Sequence, residues 1–248
     1  MTDKTNSFFL TAPRESDKLR IFCFPYAGGG ASIYKNWEKN LPVGVGVYPI
    51  QLPGRENRII EKAYTDMNEL TDAIVKAIIP YLDKKFIFFG HSLGAKILYE
   101  VTCELRERWR LEPCHIIVSG SRAPHISEPR PLHELSDEMF IKELKRYSGL
   151  SEEFLQNEAL MKLFLPIFRA DFTLDEKYIF KKREKFNFKI TSFNGDSDIE
   201  TDSESVKAWD MYTNVGLDEK VFKGGHFFIS TDEESVLHSV SDIAIQYL

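Results

Sequence analysis

This chain lacks the features that mark several large protein classes. Its three cysteines, Cys23, Cys103 and Cys114, are too few and too scattered for a disulfide framework or a zinc site. Cys23 sits in an apolar run and Cys103 on a helical pattern, so both read as buried thiols, and a reducing cytoplasm is the expected setting. No apolar run approaches the roughly 18 residues needed to span a bilayer. The polar opening Met1–Asn6 has no apolar signal core. Basic blocks are missing too: 38 acidic residues against 32 basic ones give a net charge of −6, which argues against non-specific nucleic-acid binding. There is no internal repeat, low-complexity tract or linker. What remains is a soluble globular composition, 43% hydrophobic and 28% charged, over 248 residues. One domain, 1–248, with an insertion is the expected organisation.

What is present centres on Phe86-Ile87-Phe88-Phe89-Gly90-His91-Ser92-Leu93-Gly94-Ala95. Four apolar residues run into Gly-x-Ser-x-Gly, and Ile97, Leu98, Val101 and Leu105 follow at helical spacing. Strand, tight turn and helix make this a nucleophile elbow, in which the serine occupies strained backbone and the glycines admit close neighbours. Ser92 then stands at the carboxyl end of a strand, facing a helix N-terminus that favours negative charge.

Five further segments read as strands: Leu19–Phe24, Val45–Ile50, His115–Ser119, Phe188–Phe193 and Lys220–Phe222. Met67 to Leu82 has helical spacing, as does Ser203–Tyr212. Alternation of this kind predicts a mainly parallel sheet covered by helices on both faces. From about 125 to 180 the rhythm changes. Ser136 reads as a helix cap, Gly149 as a stop and Ser151 as a second start. The third helical run carries Leu160, Met161, Leu163, Phe164, Leu165, Ile167, Phe168 and Phe172, too many large apolar groups for one stripe. This block is expected to be a helical lid lining an acyl pocket over Ser92; a helical subdomain with its own core is the plainer reading. Near the end, Thr231 and Glu234 are expected to form a capping box for the last helix.

A serine hydroxyl needs an adjacent base, and a histidine base needs a carboxylate to fix its tautomer. On elbow-bearing sheets these follow in the order Ser, Asp or Glu, His, each after a strand. Ser92, the loop holding Asp196 and Asp198, and His226 after Gly224-Gly225 satisfy that order. Asp196 follows Gly195 directly and reads as a turn cap; Asp198, farther along, is preferred on spacing that leaves both open. The other histidines (His91, His115, His125, His133 and His238) have no evident carboxylate partner. Oxyanion donors are expected at the backbone N–H groups near Ala27, in the loop Pro25-Tyr26-Ala27-Gly28-Gly29-Gly30, and of Leu93. That loop lacks the spacing of a phosphate or dinucleotide cradle.

Pro25–Gly29, Pro53-Gly54-Arg55, Gly90–Ala95, Ser119–Pro124, Leu165–Phe172 and Gly225–Phe228 together span nearly the whole chain. In these blocks the chain resembles the type II thioesterases, the stand-alone editing hydrolases of non-ribosomal peptide and polyketide synthesis. The resemblance implies an α/β-hydrolase fold with an inserted helical lid. It also implies Ser92 as nucleophile, His226 as base, Asp198 as the carboxylate, and oxyanion amides at Ala27 and Leu93, where the family often has Met in place of Leu93. The implied reaction is removal of mis-primed acyl groups from the phosphopantetheine arm of an acyl or peptidyl carrier protein. No metal or organic cofactor is expected, since the pantetheine belongs to the substrate, and a monomer is expected. Rival readings are a carboxylesterase or medium-chain fatty acyl thioesterase, and a hydrolase fold that only binds.

Overall fold

The structure, a computed structural model, describes residues 7–144 and 152–248. Six strands form one sheet: β1 (Leu19–Phe24), β2 (Val45–Pro49), β3 (Lys85–His91), β4 (His115–Ser119), β5 (Lys189–Gly195) and β6 (Leu217–Phe222), in the order β2-β1-β3-β4-β5-β6. Every neighbouring pair is parallel. All six strands expected from the sequence are present, two with the expected ends and the others with ends shifted by at most three residues.

The continuous apolar runs follow from burial on both faces. Along β1, Ile21 and Cys23 point to one layer with Val236, Val240 and Ala244 of the last helix. Phe22 and Phe24 point to the other, with Ile74 and Ile97. Strand β3 repeats the division, Ile87 and Phe89 against Phe86 and Phe88. Edge-to-face contacts such as Phe24–Phe88, with centroids 5.3 Å apart, use many of the chain's Phe residues here. The edge strand β6 carries exposed Asp218, Glu219 and Lys220, charges that discourage pairing with another sheet.

Helices α1 (Met67–Ile78) and α2 (Leu93–Glu104) cover the Phe22 face, and α8 (Glu233–Ile245) covers the other. Asp66 caps α1, accepting the Asn68 and Glu69 N–H groups. Between β4 and β5 run α3 (Asp137–Leu144), α4 (Glu152–Gln156) and α5 (Glu158–Glu176). Ser136 accepts the Phe140 and Met139 N–H groups at the start of α3, as its position suggested. The expected stop at Gly149 and start at Ser151 lie outside the described residues. After β5 come α6 (Ser203–Lys207) and a 3-10 turn, and after β6 a short α7 (Phe228–Thr231).

One expectation is corrected. Thr231 does not cap the last helix: it closes α7, and Asp232 is the residue that precedes α8. The chain is already helical after His226, so Thr231 Oγ turns back to the Phe227 carbonyl. The insertion lines a cavity over the sheet, as expected, and has a small core of its own as well. Leu132, Phe140, Leu144, Met161, Phe168 and Phe172 form a small core of the insertion, while Leu144, Phe164, Phe168 and Phe172 also line a cavity over the sheet.

Helix α2 meets the sheet at very short range. A Cβ on Gly94 would stand 2.1 Å from the Phe24 carbonyl oxygen, and one on Gly90 would stand 2.3 Å from the Gly94 carbonyl oxygen. Both obstacles are backbone, so no rotamer change relieves them. Gly94→Ala is therefore expected to destabilise the fold by about 1–3 kcal/mol or more, read as a lower urea midpoint with an unchanged slope. A midpoint equal to that of the parent chain contradicts the close approach.

Candidate active site

Ser92 joins β3 to α2 with φ 54° and ψ −119°, a left-handed conformation rare for a residue with a side chain. Strain of this kind costs on the order of 1–3 kcal/mol and is found where function requires it. The Ser92 N–H is tied to the Ser119 carbonyl at 2.8 Å, which fixes the turn to the end of β4. The side chain faces a cavity of about 430 Å³. His226 faces it too, and so do Ala27 and Leu93.

The loops after β5 and β6 are clasped together. Asp196 accepts the Gly224 N–H at 3.0 Å, and the Ser197 N–H reaches the Gly224 carbonyl at 3.0 Å. Gly195 permits this: a Cβ there would lie 2.4 Å from the Gly224 carbonyl oxygen. Asp196 is thus the exposed turn residue. Asp198 points inward, its side chain wholly buried, with Oδ2 2.9 Å from His226 Nδ1. The Glu200 N–H (2.8 Å) and Thr201 hydroxyl (2.9 Å) also donate to it. Burial alone pushes the Asp198 carboxyl up, but the hydrogen bond and charge of His226 with these two donors hold it below the ordinary carboxylate value. An ionised Asp198 accepts a proton-bearing Nδ1, which leaves Nε2 of a neutral His226 as a base.

The remaining histidines are held otherwise. His91 is fully buried, its Nδ1 2.8 Å from Ser119 Oγ and its ring 5.2 Å from that of His226. Burial first, then the neighbouring His226, push its pKa well below the usual imidazole value, so it stays neutral packing beneath the site. His115 bridges Tyr247 and Thr191, and burial lowers its pKa to about 4. His125 meets the Tyr212 hydroxyl. Two histidines do have carboxylate partners, contrary to expectation. His133 Nδ1 lies 2.7 Å from Glu176, and exposed His238 lies 3.7 Å from Asp242 one helical turn on. Neither histidine lines the cavity.

Several residues in and behind the cavity carry no role in the sequence pattern alone. Lys96, one turn beyond Ser92, pairs with Asp175 at 2.7 Å, and Arg122 pairs with Glu128 at 2.6 Å. Arg55 forms a buried bidentate pair with Asp171. The only signal for these last two was their place in the blocks Pro53-Gly54-Arg55 and Leu165–Phe172. Among the described residues no group of three His, Cys, Asp or Glu could hold a metal ion.

A parallel sheet in this order, with a strained serine after its third strand and a paired histidine after its last, defines an α/β-hydrolase fold. More specifically, the thioesterase domain model matches residues 19–244, and the chain belongs to that family: it is a thioester hydrolase. It is similar to the gramicidin S biosynthesis protein GrsT of Aneurinibacillus migulanus, with 38% identity over 91% of this chain and 89% of that protein. LgrE of Brevibacillus parabrevis, named a linear gramicidin dehydrogenase, is 35% identical over 100% of this chain and 96% of its own length. Here the turn Gly28-Gly29-Gly30 has Ile33 where a dinucleotide cradle would place its third glycine. Among solved structures, the thioesterase RedJ of the prodiginine pathway of Streptomyces coelicolor superposes with a TM-score of 0.86 at 35% identity, covering 94% of this chain and 95% of that one.

The depressed Asp198 pKa sets a sign for pH dependence. Its charge contributes stability above the unfolded value near about 3.9 and loses it as pH falls through the folded value. The stability advantage of the parent chain over Asp198→Asn should therefore persist from pH 7 down to about pH 5 and shrink only below about pH 4. Denaturant titrations across that range check this, and an advantage that fades between pH 7 and 5 contradicts it.

Proposed function

We propose that this chain is a type II thioesterase that clears acyl groups from the phosphopantetheine arm of carrier proteins in non-ribosomal peptide or polyketide assembly. The observation that carries the reading is the buried Asp198–His226 pair beside a left-handed Ser92 in a Phe-walled cavity. The family supplies the thioester chemistry, and the biosynthetic names of GrsT and RedJ support the setting.

In the proposed reaction His226 Nε2 takes the Ser92 proton as Oγ attacks the thioester carbonyl. The oxygen becomes an anion held by the Ala27 and Leu93 N–H groups, each donor worth about 3–4 kcal/mol in the transition state. When the carbonyl re-forms, the C–S bond breaks, and the pantetheine sulfur leaves with the proton from His226. Water, deprotonated by the same imidazole, then attacks the acyl-Ser92 ester. Collapse expels Ser92, which recovers its proton, and the free acid departs. Asp198 stabilises the imidazolium in both halves. The sequence consumes only water, and we propose that the enzyme works without metal or organic cofactor, as a cytoplasmic monomer whose partner is the acylated carrier protein. Among the described residues no helix is long and apolar enough to cross a membrane.

Ser92→Ala and His226→Ala should abolish turnover, Asp198→Asn should lower kcat by roughly 10³–10⁴-fold, and Asp196→Asn should change it little. Equal losses for the two aspartates refute the assignment. An acyl-S-phosphopantetheinyl carrier protein should be hydrolysed with a higher kcat/KM than a free ester of the same acyl group. A clear preference for the ester points instead to a carboxylesterase. Labelling of the parent protein, but not of Ser92→Ala, by a fluorophosphonate separates either enzyme from a fold that only binds.

A further inference from the structure

The loop Tyr26–Gly30 has few bonds of its own, and much of its shape is imposed by side chains from elsewhere. Gly28, at φ +79°, donates its N–H to Asp171 Oδ2 at 2.7 Å. Asp171 belongs to α5 of the helical insertion and is buried, as is Arg55 in the loop after β2. Arg55 grips Asp171 with two bonds, Nη1 to Oδ2 at 2.6 Å and Nη2 to Oδ1 at 2.8 Å. The same Nη1 donates to the Gly29 carbonyl at 3.1 Å. Two peptide groups of the loop, Ala27–Gly28 and Gly29–Gly30, are thereby fixed by one ion pair. Gly28 also packs against the Phe168 ring so closely that a Cβ there would stand 2.1 Å from Cε1.

We propose that Asp171 and Arg55 are positioning residues that hold the Ala27 N–H at the distance an oxyanion requires. The inference rests on the reading of Ala27 as an oxyanion donor and extends it to the two side chains that set its place. Two observations favour this over a purely structural pair. A fully buried ion pair is a poor stabiliser, because the desolvation of two charges offsets their attraction. Its most direct partner is also a backbone N–H one residue from the proposed donor. Donors of this kind act by geometry, and misplacement by about 1 Å costs on the order of 10²-fold in rate.

The test uses the full chain with three changes: Asp171→Asn, Arg55→Lys, and the double variant Arg55→Met/Asp171→Leu, which removes both charges and leaves no unpaired one buried. Each is measured for its melting temperature, for kcat and KM on an acyl-pantetheine thioester, and for binding of two probes. One is an acyl trifluoromethyl ketone, whose adduct with Ser92 carries an oxyanion; the other is a thioether analogue of the substrate, which carries none. Positioning predicts kcat lower by about 10–100-fold, KM within about threefold, ketone affinity lower by the same factor as kcat, and thioether affinity unchanged. The double variant should show this while melting near the parent temperature. Kinetics and ketone affinity within twofold of the parent in any variant folded at the assay temperature overturn the proposal. So does a loss that merely follows the folded fraction. Ser92→Ala, run alongside, separates the two levels: turnover surviving in that variant defeats the reading of the site itself, whereas its loss together with unaffected Asp171 and Arg55 variants defeats the positioning role alone.

Discussion

The geometry around Ser92 depends on how closely α2 approaches the sheet. The α2 backbone lies against the carbonyl of Phe24 at Gly94, and Gly90 lies against Gly94, with no room for a side chain at either place. That contact lets the chain reverse from strand to helix across one residue, and Ser92 takes the left-handed backbone that the reversal demands. Strain at Ser92 persists because its surroundings over-determine it: the Ser119 carbonyl on one side, the buried α2 on the other. The same approach brings Leu93 and the Ala27 loop to the same cavity, since Phe24 and Ala27 are three residues apart on one side of the contact. The strained Ser92 and the placement of Ala27 and Leu93 at its cavity are thus consequences of one packing constraint.

The His226 side of the site follows another logic. His226 and Asp198 come from separate loops, joined where glycines let backbone meet backbone at Gly195 and Gly224. Asp196 occupies the outer bonds of that clasp, so Asp198 is free to turn inward, where Glu200 and Thr201 complete its oxygens. A carboxylate this buried stays charged only because each oxygen has a donor and His226 is close. Beneath the pair, neutral His91 fills space that a charged group would disturb.

Much of this was legible in the sequence because it is local. The six strands are continuous apolar runs, and Ser92, Asp198 and His226 follow three of them in the order that elbow-bearing sheets use. Asp196 and Asp198 could not be separated by spacing, since both lie within three residues of Gly195; the structure distinguishes them by which carboxylate is buried. Arg55 and Asp171 stayed unread for a different reason. They are 116 residues apart, and neither stands in a pattern of its own. The His133–Glu176 pair was hidden in the same way. Thr231 shows the opposite failure: a good local capping pattern was overridden because the chain after His226 had already entered a helical turn.

The contacts of α5 change character along its length, and the difference bears on what the insertion can do. Pro166 has no N–H to donate and interrupts the helix's bonding near its middle. Beyond it lie the directional contacts: Asp171 with Arg55, Asp175 with Lys96 at 2.7 Å, and Glu176 accepting the Leu132 and His133 N–H groups. Before it the contacts are mainly apolar, Met161 in the insertion's small core and Phe164 edge-on to Phe154 with centroids 5.4 Å apart. Apolar contacts are non-directional and repack at small cost when a neighbour changes size, whereas a bidentate buried ion pair tolerates little displacement. A cavity wall built this way can yield at Phe164 while Asp171 keeps its place on Gly28. A yielding apolar wall and a fixed anchor on the Gly28 loop are then properties of two halves of one helix.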